Sequence, residues 1–413
     1  MQENISEEPG LSIKKVAILC ALPPNRNTGM ATVDLAAFSA VKRLAPDVEV
    51  TLYAYGDVNP YTYQPGDLPY HYLNVDKHAE RYLSSDIFIF WGDFIHTRGY
   101  WLHDHVVTDD VARTLSGKDL QHWLQEHFSI YSKYIFLTSL PVERLKDVIV
   151  FGSTIITNDA ESESDETYYE NFRRFFEGAG AVYFRDALSA AKISPLRNNE
   201  ASLGCDCALL LQNADLEQLS GCKLAAERKG VGVFFGRTPS KLRMMILARV
   251  IGRHLGEKCS WISWLAWHSG QRRHRWPYML LGYKIRSGHA DTSFLLSQLS
   301  GYQYIITDTY HLCVNAWRMG IPAICIGMGD GVPTTTLSDK KKEIFYEMYG
   351  ARQFYVFIES LRSFKTFFAE ARRVAAVLQK KQVVSRVSAN IAMHQEMAMR
   401  RLKNAMYTIL SKK

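Results

Sequence analysis

The chain has 413 residues, 47% hydrophobic and 22% charged, with a formal net charge of +7. That length exceeds one ordinary domain and suits two, and the composition is that of a globular protein rather than a disordered one. The charge excess is moderate and lacks a basic stripe interleaved with aromatics, which argues against nucleic acid as a partner.

Residues 1–12 are polar, carry no apolar segment of signal-peptide type, and are expected to form a flexible tail. No apolar run approaches the roughly 18–20 residues that span a bilayer, so a cytoplasmic protein is expected. The apolar run Val16 to Leu22 predicts a buried strand and is followed by the turn-rich PPNRNTG. From Met30 to Leu44 apolar residues recur at helical spacing, and Val48 to Tyr55 predicts a second strand. Strand, loop, helix, strand is the unit of a parallel sheet. Further strands are predicted at Asp86 to Trp91, Val148 to Phe151 and Ala181 to Phe184, with a helix over 165–178 and a closing apolar run, Leu203 to Leu211.

The polar stretch 212–229 reads as a linker. A second alternation follows: strand Val231 to Gly236, a helix near 240–255, an apolar run Trp261 to Trp267, the basic loop HSGQRRHRW, strand Tyr302 to Thr307, helix His311 to Met319 and strand Ala323 to Ile326. The helical spacing of Trp261, Trp264 and Trp267 points to core packing. From about Phe364 the chain predicts one or two basic amphipathic helices, which either pack back across the first half or lie on a membrane. The expected organisation is a tail (1–12), an N-terminal Rossmann-like domain (13–222) and a C-terminal one with the basic helices (223–413). The seven cysteines are scattered and mostly lie in or beside apolar runs, which predicts buried thiols. Neither the lone Cys205-x-Cys207 pair nor the H-D-H at 103–105 provides a metal-ligand set, so no metal is expected.

Two doubly wound sheets place ligands beyond the carboxyl ends of their strands, in the cleft between them. That rule selects Asn27 and Gly29, Gly92 and Asp93, Arg185 and Asp186, Gly236 to Thr238, Thr307 to His311 and Gly327 to Asp330. The Asn27–Gly29 loop ahead of a helix suits an anion. Thr307, Asp308 and Thr309 are candidate caps for a helix whose first turn holds His311, an acid or base near neutral pH or a structural histidine. Arg185 and Arg237 offer guanidinium groups to a carboxylate or phosphate. Lys340, Lys341 and Lys342 open a helix capped by Ser338 or Asp339; they form a solvated face unless one reaches the cleft.

Several of these segments together resemble the polysaccharide pyruvyl transferase family. VAILCALPPNRNTGMA is similar to its first strand and loop, DIFIFWGDF to its second-strand segment, and VYFRDALS to its R-D-x-x-S element. GCDCALLL is similar to its D-P-A-L-L element. YIITDTYHLCVNAWRMGIPAICIG is similar to its T-D-R/S-x-H-G…A…G-x-P block. The resemblance implies two Rossmann-like domains facing each other across a cleft, as in GT-B glycosyltransferases. It further implies transfer of a pyruvyl group from phosphoenolpyruvate to a sugar of a surface polysaccharide or its lipid-linked precursor, with no cofactor. His311 then corresponds to the general acid/base and Arg185 to a donor-anion ligand. Asn27, Gly29, Gly92, Asp186, Arg237, Thr309 and Lys341 are the candidate substrate-binding residues. The chain departs from the pattern at Thr309, Leu312 and Cys207, where many members have arginine, glycine and proline. A donor cation must then come from elsewhere, such as Arg237 or the lysines at 340–342. A nucleotide-sugar glycosyltransferase and a non-catalytic binding protein on the same fold remain open, as does peripheral contact with the inner face of the cell membrane.

Overall fold

A computed structural model describes residues 14–20, 28–55, 72–98, 118–119, 122–123, 126, 132–156, 165–197, 201–236, 240–262, 264, 272–285, 292–329 and 337–412. Strands β1 (Lys15–Cys20), β2 (Glu49–Ala54), β3 (Tyr72–Asn74), β4 (Ile87–Asp93), β5 (Val148–Ser153), β6 (Ala181–Phe184) and β7 (Ser202–Leu203) form one sheet in the order β3-β2-β1-β4-β5-β6-β7. Strands β8 (Val231–Phe234), β9 (Cys259–Trp261), β10 (Lys284–Ile285), β11 (Tyr304–Thr307), β12 (Ala323–Gly327) and β13 (Tyr355–Phe357) form a second, in the order β10-β9-β8-β11-β12-β13. All described pairings are parallel. The two orders share one plan, with the winding reversing between β1 and β4 and again between β8 and β11.

The central strands read as unbroken apolar runs because both faces of a parallel sheet are covered. The pleat sorts them between two cores. Val16, Ile18, Ile89, Trp91 and Phe151 enter one cluster; Ala17, Leu19, Phe88, Phe90 and Val150 enter the other. The first cluster runs on without a break into the second half, through Val233, Leu312, Cys313 and Ile324.

Helices α1 (Thr28–Leu44), α2 (Ala79–Leu83), α3 (Glu166–Gly178), α4 (Ala187–Ile193) and α5 (Asn213–Ser220) belong to the first half of the chain. Helices α6 (Lys241–Leu255), α7 (Arg272–Leu280), α8 (Thr292–Ser300), α9 (Tyr310–Arg318), α10 (Leu337–Met348), α11 (Phe364–Gln379) and α12 (Lys381–Leu410) follow. Helices α1 and α9 meet between the halves. Fully buried Asn315 donates from Nδ2 to Thr32 Oγ1 and to His311 O, both at 2.9 Å, and Thr32 Oγ1 donates to Gly29 O at 2.7 Å. Leaving such a buried group without its partner costs about 1–3 kcal/mol, so the relative placement of the two helices is specified rather than sliding.

The structure differs from the sequence reading in three places and decides between two alternatives in a fourth. The expected linker holds α5, whose Leu216 is buried. Trp261 ends a strand and Trp264 is buried beyond it, so the spacing that looked helical reports a core contact only; Trp267 lies outside the described residues. Asp339 does not cap α10 but sits inside it, paired at 2.7 Å with buried Lys342. The last helix, α12, crosses back onto the first half and buries Val387, Ile391, Leu402 and Met406. There Gln395 donates to Leu209 O at 2.6 Å, Arg401 to Leu203 O and Tyr407 to Leu44 O. Its apolar stripe is used within the protein.

Gly152 shows how tightly the first half is fitted to its neighbours. It has φ +68° beside a register shift between β5 and β6, and a Cβ there would lie 2.2 Å from Cys207 Sγ. Backbone strain and overpacking add. Gly152→Ala is therefore expected to lower unfolding free energy by about 2–4 kcal/mol, measured by urea denaturation; an unchanged midpoint would contradict the packing described.

Candidate active site between the two sheets

Each sheet offers its ligand crevice where the winding reverses, and the two crevices face each other. In the first, Gly29 opens α1 after β1, and Gly92 (φ +77°) and Asp93 (φ +39°) end β4. A left-handed aspartate is uncommon but tolerated, and here it turns the carboxylate away from the strand path. In the second crevice, Gly236 follows β8 and donates its N–H to Asp308 Oδ1 at 2.9 Å. Thr309 Oγ1 reaches the same oxygen at 3.2 Å. Thr309 occupies the N-cap position of α9 without a side-chain capping bond; instead its N–H donates to Thr307 Oγ1 at 3.1 Å. His311 is the second residue of α9. Gly29 presses on it so closely that a Cβ at Gly29 would lie 2.3 Å from His311 Cβ.

Charged groups gather beside this contact from both halves. Arg185, just after β6, is 6% exposed. Its Nη2 donates to Asp93 Oδ1 at 3.4 Å and its Nη1 lies 3.5 Å from Asp206 Oδ2. Its guanidinium carbon stands 5.4 Å from the Phe94 ring centre and 5.5 Å from that of Tyr310, a cation–π setting on two sides. Asp206 is fixed by three partners: Arg185, Ala208 N–H (3.0 Å) and Tyr310 OH (2.9 Å). Lys341 of α10 donates to the same Asp93 oxygen at 3.3 Å, over the Phe94 ring at 3.9 Å. Asp186 lies alongside with both oxygens engaged, by Ser189 N–H, Ser189 Oγ and Thr154 Oγ1 at 2.7 to 2.9 Å, and so caps α4.

Burial alone would raise the Asp93 carboxyl, but Lys341, Arg185 and His311 overcome it and hold the group near 2. For His311 burial dominates and lowers the imidazole; Asp206 and Asp93 pull it up, Lys341 and Arg185 push it down, and it settles at about 4. The ring is neutral at pH 7 in the free protein. Burial also lowers Arg185, but Tyr310, Asp93, Asp206 and Asp186 outweigh that and raise it, so its charge is permanent.

A partly open pocket is lined at its polar end by Thr154, Arg185, Asp186, Asp206, Tyr310 and Lys341, and at the other by apolar residues of α10. His311 is not part of that lining; it stands across the charged cluster, beside Gly29. The structure thus gathers His311, Arg185, Asp186, Lys341, Gly29, Gly92 and, at the edge, Thr309. Asn27, Arg237 and the H-D-H at 103–105 lie outside the described residues. Of the three lysines, only Lys341 is seen to enter the cluster; Lys342 is buried against Asp339. The sequence alone assigned no role to Asp93, Asp206 or Tyr310. Asp93 was marked by its place at a strand end and Asp206 by the D-P-A-L-L likeness, but nothing in one sequence shows that these two acids share an arginine.

A search of curated proteins finds no match. Among solved structures, the chain is similar to a candidate UDP-N-acetylglucosamine 2-epimerase from Listeria monocytogenes, with TM-score 0.53 and 10% identity over 97% of this chain and 98% of that one. It also matches S. aureus MnaA with UDP (TM-score 0.49, 10% identity, 97% of each chain) and Acinetobacter baumannii MurG (TM-score 0.45, 10% identity, 96% and 99%). At such identity the first likeness shows the fold: two Rossmann-like domains across a cleft, of GT-B type. The sequence profile of the family described as polysaccharide pyruvyl transferase matches residues 35–330, a span that runs from α1 past the His311 segment. The chain belongs to the polysaccharide pyruvyl transferase family.

Proposed function

We propose that the protein transfers the pyruvyl group of phosphoenolpyruvate to a pair of hydroxyls on a sugar of a surface polysaccharide or its lipid-linked precursor, closing a ketal. One observation carries this reading. Arg185 and Lys341, from opposite halves, both reach a single oxygen of Asp93. Two cations within reach of one point are what a small donor with a carboxylate and a phosphate needs.

The reaction balances without a redox partner. The enol methylene of the donor takes one proton and its central carbon becomes cationic. One sugar hydroxyl attacks that carbon, the bond to the phosphate oxygen breaks, and the second hydroxyl closes the ring. Of the two hydroxyl protons, one ends on the new methyl group and the other leaves with phosphate. His311 is the proton carrier in this scheme, and Arg185 and Lys341 bind the donor's anions. Gly29 sets the place of the imidazole, since any side chain there would push it aside.

The charge balance requires more of His311. Asp93 and Asp206 already offset Arg185 and Lys341, so a bound donor brings negative charge that the free site does not cancel. An anion beside a desolvated imidazole raises its pKa. The donor-bound form therefore holds His311 more protonated than the free form, and binding strengthens as pH falls.

Three outcomes follow. Phosphoenolpyruvate should raise the melting temperature and UDP-sugars should not; the reverse would favour a glycosyltransferase. His311→Gln should lower kcat by about 10²–10⁴ in a phosphate-release assay, with little change in melting temperature; retained turnover would remove the role. Titrations of phosphoenolpyruvate at pH 6 and pH 8 should show a larger affinity ratio in the wild type than in His311→Gln, since the donor's own ionisation is common to both. Equal ratios would contradict proton uptake at His311.

A further inference from the structure

We infer that the outer face of α6, α7 and α11 docks onto an anionic lipid bilayer. This inference is independent of the chemistry proposed above. Each of these helices shows solvent an apolar pair four residues apart, which is one stripe of a helix. The pairs are Leu242 and Ile246 on α6, Trp276 and Leu280 on α7, and Phe364 and Phe368 on α11; Phe364 is 86% exposed and Trp276 61%.

The three helices are neighbours. Arg243 of α6 stands over the Phe367 ring of α11 at 5.9 Å. On the other flank Tyr283, just past α7, donates its hydroxyl to Met245 O at 2.6 Å, and Arg249 donates to Gly282 O at 2.6 Å. Helix α6 thus lies between α7 and α11, with Leu242 and Ile246 turned outward. Single exposed apolar residues are ordinary, but large ones shown together by adjacent helices mark a contact surface.

The charge on these helices selects the partner. Together their sequences carry ten lysines and arginines and a single acid, Glu370. Glu370 is itself paired with Arg373 at 2.5 Å. Exposed Trp, Phe and Leu on helices whose sequences are this rich in cations fit the acyl boundary and phosphate layer of an anionic membrane, whereas a face buried against protein is usually depleted of charge at its core. The position agrees. Helices α6 and α11 begin after the carboxyl ends of β8 and β13, so Leu242 and Phe364, in the first turns, sit at the end of the second half that carries the crevice. A molecule resting on this face would hold its cleft mouth close to the lipid surface.

The test is sedimentation of the full chain with vesicles of phosphatidylcholine alone or with 30% phosphatidylglycerol, at low and high salt. The wild type should partition at least tenfold more strongly onto the anionic vesicles and be released by salt. Phe364→Ser/Phe368→Ser and Leu242→Ser/Ile246→Ser should each lose most of that binding, while keeping wild-type melting temperatures and far-ultraviolet circular dichroism. No partition at low salt, or equal partition of wild type and both double variants, overturns the inference. So does a change in oligomeric mass in the variants without a change in vesicle binding, which would mark the face as a contact between copies.

Discussion

The arrangement rests on the contact of α1 with α9. Two sheets of one winding plan each present a crevice at the point of reversal, and among the described residues neither crevice alone holds both a proton carrier and a pair of cations. Gly29 against His311, and Asn315 bridging Thr32 to the His311 carbonyl, bring them together. The first contact needs a residue without a side chain; the second is a buried polar link that forms in one geometry only. A one-residue shift of either helix would lose both.

From that contact the electrostatics follow. Arg185 is buried, and a buried arginine remains charged because acids and aromatic faces replace its water. Asp93 and Asp206 do this in the free protein, with Tyr310 steadying Asp206. The site is thus held near neutrality and ready to exchange partners when an anion arrives. His311 is kept uncharged by the same desolvation, so an imidazole that burial leaves unprotonated lies beside the charges that would call for its proton.

Much of the fold was legible because parallel sheets write themselves as apolar runs separated by amphipathic helices. Runs such as VAILC and IFIFW, followed by glycine or turn formers, marked strand ends, and strand ends mark ligand crevices. Family likeness then named His311 and Arg185. Other features were not readable. Lys341 and Lys342 are adjacent in sequence, and only the rotation of α10 sends one to Asp93 and the other to Asp339. The tryptophans at 261 and 264 have helical spacing in a segment that begins as a strand, since short runs carry too little periodicity to decide. The basic C-terminal helix suited either a packed or a membrane position, with packing favoured, and its contacts with Leu203 and Leu209 show where its apolar stripe goes. Asp93 as the shared partner of two cations required long-range geometry, which one sequence does not contain.

The central claim is that one small anion is gripped jointly by residues of both halves. A crystal structure with phosphoenolpyruvate tests it directly. The account predicts donor oxygens within hydrogen-bond distance of the Arg185 guanidinium and Lys341 Nζ, with the methylene carbon facing His311. A donor seated elsewhere, with Arg185 still locked between Asp93 and Asp206, would contradict it.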